Sequence, residues 1–410
     1  MQEIRKSTKL DNVLYDIRGP ILDEAERLEE EGYSILKLHI GNPAPFGFNA
    51  PDDLLHDVVV NLKDAQGYSN SRGLYSARKA VYQYYQYRQF PDVDIDDIFI
   101  GNGVSELITM TMQALLDNGD EILIPAPDYP LWTASVNLAG GRSVHYRCDE
   151  QADWQPDLDD LESKITDRTK GVVLINPNNP TGAVYSRDLV ERFVRIAERH
   201  GLIIFADEIY DQVLYDDEVC HSPAAMTEDT LVLTYSGLSK NFLAAGFRCG
   251  WLVLTGYKDT AGDFIEGLNM LANMRLCSNV PAQLGVQAAL GASLGGYTES
   301  AKLLAPGGRL NDQRNLAYEM VSSIPGLSVV RPRGAFYLFP RIDTEKFGIS
   351  SDERFVLDFL KKEHTLVVQG SGFNWPEQDH FRIVFLPDIE QLKAALEGLG
   401  RFLADYRQNR

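Results

Sequence analysis

The amino-acid sequence predicts a large doubly wound α/β domain built on a mostly parallel sheet, with a smaller α+β domain assembled from both chain ends. Three observations carry this expectation. Short β-rich runs recur at Ile98–Ile100, Glu121–Pro125, Ser143–Cys148, Gly171–Asn176, Leu202–Ala206, Leu231–Tyr235 and Cys249–Leu254. Several are apolar at consecutive positions, as in Ile203-Ile204-Phe205, which is how a strand covered on both faces reads. Helix-period stretches such as Glu106–Leu116 and Ser186–His200 lie between them, and that alternation is the signature of strands crossing over through helices.

The flanks read differently. Gly19–Gly32 is amphipathic and leads into a glycine- and proline-rich turn at Gly41–Pro45. Beyond residue 300 the pattern gives a helix at Arg309–Ser323, strands near Leu327–Arg331 and Ala335–Pro340, and a helix at Asp352–Lys362. Strands at Leu366–Gln369 and Phe381–Leu386 and a last helix after Pro387 complete it. The expected division is residues 1–50 as an N-terminal arm with part of the small domain, 51–304 as the large domain, and 305–410 as the rest of the small domain.

Composition narrows the function. The 410 residues are 44% hydrophobic and 10% aromatic, ample for a packed core. The formal net charge is −20, a surface that repels phosphate backbones and anionic lipid, so neither nucleic acid nor a membrane is expected as a partner. Any bound anion must be held by a local cluster of donors working against that field. Cys148, Cys220, Cys249 and Cys277 form no CxxC pair and the seven histidines are scattered, so neither a disulfide framework nor a metal site is expected. No apolar run is long enough to span a bilayer and the first residues carry no signal-type stretch, which points to a cytoplasmic protein.

Four loops, each following an expected strand, carry the chemistry. In Thr234-Tyr-Ser-Gly-Leu-Ser-Lys240 small residues lead to a lysine, and Arg248 follows eight positions later. An isolated lysine there is usually a surface residue, but small neighbours allow the close approach and desolvation that an amine nucleophile needs. Asp207 ends the apolar run Leu202–Ala206, where open α/β sheets meet their ligands, and Tyr210 lies three residues on. A turn or cap aspartate is the plainer reading. Asn176-Pro-Asn-Asn179-Pro-Thr-Gly182 is a stiff loop that would hold the Asn179 amide in one orientation, although an ordinary turn has the same look. Gly101-Asn-Gly103 opens a helix at Val104-Ser105-Glu106, a cradle for phosphate at a helix N-terminus. Glu106 stands where a dinucleotide fingerprint needs its third glycine, which counts against a nucleotide-dependent oxidoreductase. A phosphate site, an amine, a strand-end carboxylate, an amide and a phenol together suit pyridoxal 5′-phosphate, which needs a lysine for its aldehyde and an anion for its ring nitrogen.

With these motifs in order, the sequence resembles the class I aminotransferases of pyridoxal-phosphate fold type I, and among them the bacterial glutamate–pyruvate (alanine) aminotransferases. The likeness extends from Tyr15-Asp-Ile-Arg-Gly-Pro20 to Phe381-Arg-Ile383. Its most specific pieces are Ile40-Gly-Asn-Pro-Ala-Pro-Phe-Gly-Phe48, Ala126-Pro-Asp-Tyr-Pro-Leu-Trp132 and Asn176–Gly182. The resemblance implies that Lys240 bonds the cofactor and later moves the proton between substrate Cα and cofactor C4′. It implies Asp207 on the pyridine nitrogen, Asn179 and Tyr210 on the phenolic oxygen, and Tyr129 stacked on the ring. Val104, Ser105 and Arg248 would hold the phosphate, and Tyr68 would reach the phosphate of a neighbouring subunit, making the working unit a homodimer with shared sites. Arg382 would grip the substrate α-carboxylate in a bidentate pair, with the Gly41 backbone beside it.

Two departures stand out. Aspartate-type relatives carry a serine three residues before the lysine; here that position is Gly237, so Ser239 is expected to complete the phosphate shell. Where those relatives place an arginine before a Ser-Asn pair, this chain has Met274 before Ser278-Asn279, with Arg275 one residue out of step. An aspartate-specific enzyme is therefore disfavoured, and Arg18, beside Tyr15 on the N-terminal segment, is the candidate for a distal carboxylate. A structural arginine tying down the arm is the alternative. The expected reaction is ping-pong transfer between L-alanine and 2-oxoglutarate. A broader or aspartate/aromatic specificity, a β-eliminating C–S lyase and a pyridoxal-binding regulator are the rivals, the last lacking any basic DNA-binding segment here.

Overall fold

The structure is a computed structural model that describes residues 4–10, 13, 19–294 and 299–408. Its centre is an eight-stranded sheet with the order Ile98–Gly101, Gly250–Gly256, Leu231–Gly237, Ile203–Asp207, Thr169–Ile175, Glu121–Ala126, Arg142–Asp149 and Gln155–Pro156. The five strands from Leu231–Gly237 to Arg142–Asp149 run parallel to one another. Gly250–Gly256 lies antiparallel to both of its neighbours, and Gln155–Pro156 antiparallel to Arg142–Asp149.

The consecutive apolar residues have the predicted cause. Val172 and Leu174 face one hydrophobic cluster while Val173 and Ile175 face another, and Ile204 and Phe205 divide in the same way. Successive side chains of a strand point to opposite faces, so both faces are covered. One face packs against the helices Tyr75–Tyr87 and Arg187–His200, the other against Val104–Leu115, Leu131–Leu138 and Gly262–Met274. Helix Arg187–His200 starts and stops where its sequence says. The Ser186 hydroxyl accepts from the Leu189 N–H, and Gly201 ends the helix at φ +61°.

A third hydrophobic cluster joins Ile21, Ala25 and Leu28 near the chain start to residues from Leu304 to Leu403, with Tyr210, Val213 and Tyr215 from the middle. Its strands are shorter than expected. Leu327–Arg331 pairs only over Leu327–Ser328, and Ala335–Pro340 only over Tyr337–Leu338. Pro332 and Pro340 have no N–H to give a ladder, and Ala335 turns to φ +56°. Leu366–Gln369 splits: Leu366 pairs with Lys37 in a parallel bridge to the chain start, whereas Val368 and Gln369 pair with Arg382 and Phe381. That pairing brings Arg382 beside the middle of the chain.

Candidate active site

Parallel strands bring their carboxyl ends to one edge, and the four chemical loops meet there. Asp207 is paired with Ile175 on one side and Tyr235 on the other. The Asn176 N–H donates to the Asp207 carbonyl at 3.0 Å and the Glu208 N–H to the Tyr235 carbonyl at 2.9 Å, locking the three exits together. Outside them opens a cavity of about 310 Å³. Lys240, Asp207, Asn179, Tyr210, Tyr129 and Arg382 all line it, as do Val104, Ser105, Ser239, Arg248 and Gly41.

At one end the helix Val104–Leu115 presents its N-terminus. Gly103 holds φ +83°, and a Cβ there would lie 2.3 Å from the Arg248 guanidinium, so only glycine lets the arginine reach the helix start. Arg248 donates to the Ser239 hydroxyl at 3.4 Å and to the Ala245 carbonyl at 3.0 Å. The Gly237 departure now has a physical reason. A Cβ at Gly237 would sit 2.8 Å from both the Cys249 carbonyl oxygen and the Gly250 Cα, so no serine fits, and Ser239 lines the cavity instead. Glu106 is also accounted for: its carboxylate accepts from the Asn102 backbone N–H at 2.7 Å and side-chain amide at 2.8 Å. Arg248, Ser239 and the free N–H groups of a helix start form an anion cradle inside a strongly acidic protein.

At the floor lies Asp207, fully buried. Its carboxylate accepts from the Trp132 indole N–H at 2.9 Å and the Ile209 N–H at 3.4 Å. Burial pushes its pKa up to about 6, against the pull of those two donors. Opposite, Lys240 stands on the short helix Leu238–Asn241 and donates to the Gly41 carbonyl. Burial, with the Arg382 and Arg248 charges, pushes its amine down to about 8. Asn241 anchors that helix, giving its amide to Asp211 at 2.6 Å, and Arg88 pairs with the same carboxylate at 2.6 Å.

At the far end Arg382 is buried, donating to the Asn179 side-chain carbonyl at 2.8 Å and to the His39 carbonyl. The Tyr337 and Phe373 rings lie on it, each 4.5 Å from the guanidinium carbon. Burial and Arg382 hold the His39 imidazole down at about 4, hence neutral.

One expected residue lies away from this assembly. Tyr68 is 82% exposed and lines no part of the cavity of its own chain. Tyr15 and Arg18 lie outside the described residues. Arg275 turns away: it binds Glu106 and donates to the Ser71 and Ile100 carbonyls, while Met274 is exposed. Sequence reasoning passed over Trp132, Tyr337 and His39. Trp132 did leave a signal, standing one helical turn after Tyr129; Tyr337 left none, since only the fold brings it beside Tyr210.

Comparison with known proteins agrees with this geometry. The family described as aminotransferase class I and II matches residues 36–399. The glutamate-pyruvate aminotransferase AlaA of Escherichia coli strain K12 is 60% identical over 408 residues, covering 100% of both chains. An alanine aminotransferase of Mycobacterium bovis is 57% identical over 404 residues, covering 98% of this chain and 93% of that one. The crystal structure of an aminotransferase from Escherichia coli superposes with a TM-score of 0.97 at 60% identity over the whole of both chains. Likeness of this length and degree settles the family, and the chain belongs to the class I and II aminotransferases.

Proposed function

We propose that this enzyme transfers the amino group between L-alanine and 2-oxoglutarate, giving pyruvate and L-glutamate by a ping-pong route with pyridoxal phosphate. The observation that carries the reading is the sharing of one cavity by the Lys240 amine, the buried Asp207 carboxylate and the Arg382 guanidinium. Relatives at 57–60% identity, named as glutamate-pyruvate and alanine aminotransferases, support the substrates. The donor set suits the cofactor: a helix-start cradle that Arg248 reaches because Gly103 has no Cβ, a buried anion for a ring nitrogen, and an amine lining the same cavity.

Pyridoxal phosphate, when bound, supplies an aldehyde for amine exchange and a protonated ring that accepts the electron pair left when substrate Cα loses its proton. The protein residues do the rest. Arg248, Ser239 and the N–H groups of Val104 and Ser105 hold the phosphate. Asp207 stays anionic above pH 6 and keeps the ring nitrogen protonated, with Trp132 orienting the carboxylate. Tyr129 would cover one ring face, and Asn179 and Tyr210 would hold the phenolic oxygen. Arg382 would hold the α-carboxylate of either substrate, and the Lys240 Nζ, lining the same cavity, would take up and return the Cα proton. Among the described residues lining the cavity, Lys and Arg occur only as Lys240, Arg248 and Arg382, each with a task already. Arg18 is the candidate for the distal carboxylate of glutamate, with a structural arginine tying down the arm as the alternative.

The reading extends to the assembly, with the chain divided at residues 50 and 304. Leu55, Val59, Val60 and Leu62 are exposed along one segment, close in sequence to exposed Tyr68, an apolar surface that fits a homodimer interface. Tyr68 then serves the partner's phosphate site. Sedimentation of the loaded enzyme as a single chain would count against this. Four free cysteines and the acidic surface support a cytoplasmic location without nucleic-acid or membrane partners.

The function is tested by adding amino acids singly to the loaded enzyme. Alanine and glutamate should each convert the cofactor to its pyridoxamine form, and aspartate should do so far more slowly; rapid conversion by aspartate alone would overturn the substrate assignment. The lysine adds a pH dependence. An amine attacks only when deprotonated, so cofactor loading of the apoprotein should speed up as pH rises through about 8 and level off above it. A rate still climbing past pH 10, where an ordinary lysine titrates, would contradict the depressed value.

A further inference from the structure

Tyr337 lies where the cofactor and substrate ends of the cavity meet, and its side chain is 2% exposed. Its hydroxyl is 2.5 Å from that of Tyr210, and the two rings meet edge to face at 5.8 Å and 81°. Its ring face carries the Arg382 guanidinium at 4.5 Å, with Phe373 against the same group. Gly41 packs directly on it: a Cβ at Gly41 would come 2.2 Å from the Tyr337 hydroxyl, so that approach exists only because the side chain is missing. The same Gly41 accepts the Lys240 hydrogen bond. One side chain thus touches the phenol, the carboxylate clamp and the loop that faces the amine.

We propose that Tyr337 is a positioning residue for amino transfer, its hydroxyl orienting and polarising Tyr210 while its ring fixes the height of the Arg382 guanidinium. The proposal rests on the reading of the site given above. In that reading Tyr210 gives its hydrogen to the phenolic oxygen of the cofactor, which leaves Tyr337 as the donor within the hydroxyl pair. A hydrogen bond received at the Tyr210 oxygen makes its own O–H a stronger donor, because chained hydrogen bonds polarise one another. Stronger donation favours the anionic phenolic oxygen. The ring acts separately: a guanidinium lying on an aromatic face is attracted to it and restrained in the plane where it meets a carboxylate. A plain core aromatic in this position would serve equally well as phenylalanine, and that is where the two accounts part.

The test compares wild type, Tyr337→Phe and Tyr337→Leu, all loaded with pyridoxal phosphate. Two quantities are read: the pH midpoint of the cofactor's visible absorbance, and KM and kcat for alanine and for glutamate. Tyr337→Phe keeps the ring and loses the hydroxyl. Its midpoint should move up by about half a pH unit, the scale of one neutral hydrogen bond, with KM within about twofold of wild type. Tyr337→Leu should show the same shift and a KM raised about tenfold for both substrates, with a smaller change in kcat. An unshifted midpoint in Tyr337→Phe overturns the proposal whatever the leucine variant does, and an unchanged KM in a folded leucine variant overturns it too. Wild type that fails to convert with alanine in the same cuvette would instead refute the underlying reading, so the two failures are distinct.

Discussion

Replacing Lys240 with alanine should lower transamination by more than about 10⁴-fold, the upper range for a positioned proton-transfer group, because the same nitrogen also forms the bond to the cofactor. Among the described residues lining the cavity there is no second amine, and the His39 imidazole, held down at about 4 by burial and Arg382, is a weak base. The visible absorbance of the bound cofactor should be lost with the activity. Stability should not suffer, since the side chain makes a hydrogen bond only to the Gly41 carbonyl and its amine is held at a depressed pKa by burial. Thermal melting and steady-state rates on the same preparation separate the two effects. A variant retaining a tenth of the wild-type rate would remove Lys240 from the chemistry.

The second large effect is expected at Asp207. Asp207→Asn keeps the volume and an oxygen for the Trp132 indole while removing the charge, so the fold is preserved and the electrostatic role is isolated. Loss of one preorganised charge facing the reacting system should cost about 10²–10³-fold in kcat, together with weaker retention of the cofactor. Trp132→Phe acts on the same carboxylate through its protonation. Burial already raises Asp207 to about 6, and the indole donor pulls the other way. Removing that donor must raise the value further, so the anionic form disappears at a higher pH. Cofactor affinity of Trp132→Phe, measured by equilibrium dialysis, should therefore begin to decline at a higher pH than that of wild type, which declines towards pH 6. Identical affinity profiles would show that the Trp132 contact does not tune the carboxylate.

Legibility in the sequence divides along the distance over which a feature is determined. The buried strands could be read because burial on two faces writes itself into consecutive residues, as at Val172–Ile175. Lys240, Asp207 and Asn179 stood out because each lies just beyond such a strand, and a parallel sheet necessarily gathers those ends. What depends on long-range packing was not legible. The antiparallel course of Gly250–Gly256 is decided by its two neighbours, and the small-domain strands are cut short by Pro332, Pro340 and the turn at Ala335. The contact of Trp132 with Asp207 spans 75 residues, and that of Tyr337 with Tyr210 spans 127. Gly237 was visible as a departure, but its cause, the close passage of Cys249 and Gly250, belongs to the neighbouring strand. Arg275, one residue out of step in the sequence, is held by Glu106 across 169 residues, which no local pattern records.

The claim on which all of this stands is that the amine of one lysine meets the cofactor aldehyde above a buried carboxylate. Reducing the loaded enzyme with cyanoborohydride makes that bond permanent, and peptide mapping by mass spectrometry then reports where it formed. The added mass should fall on the peptide containing Lys240 and vanish in the presence of excess alanine, which displaces the amine. Label on any other lysine, or none at Lys240 in an enzyme that still transaminates, would contradict the account.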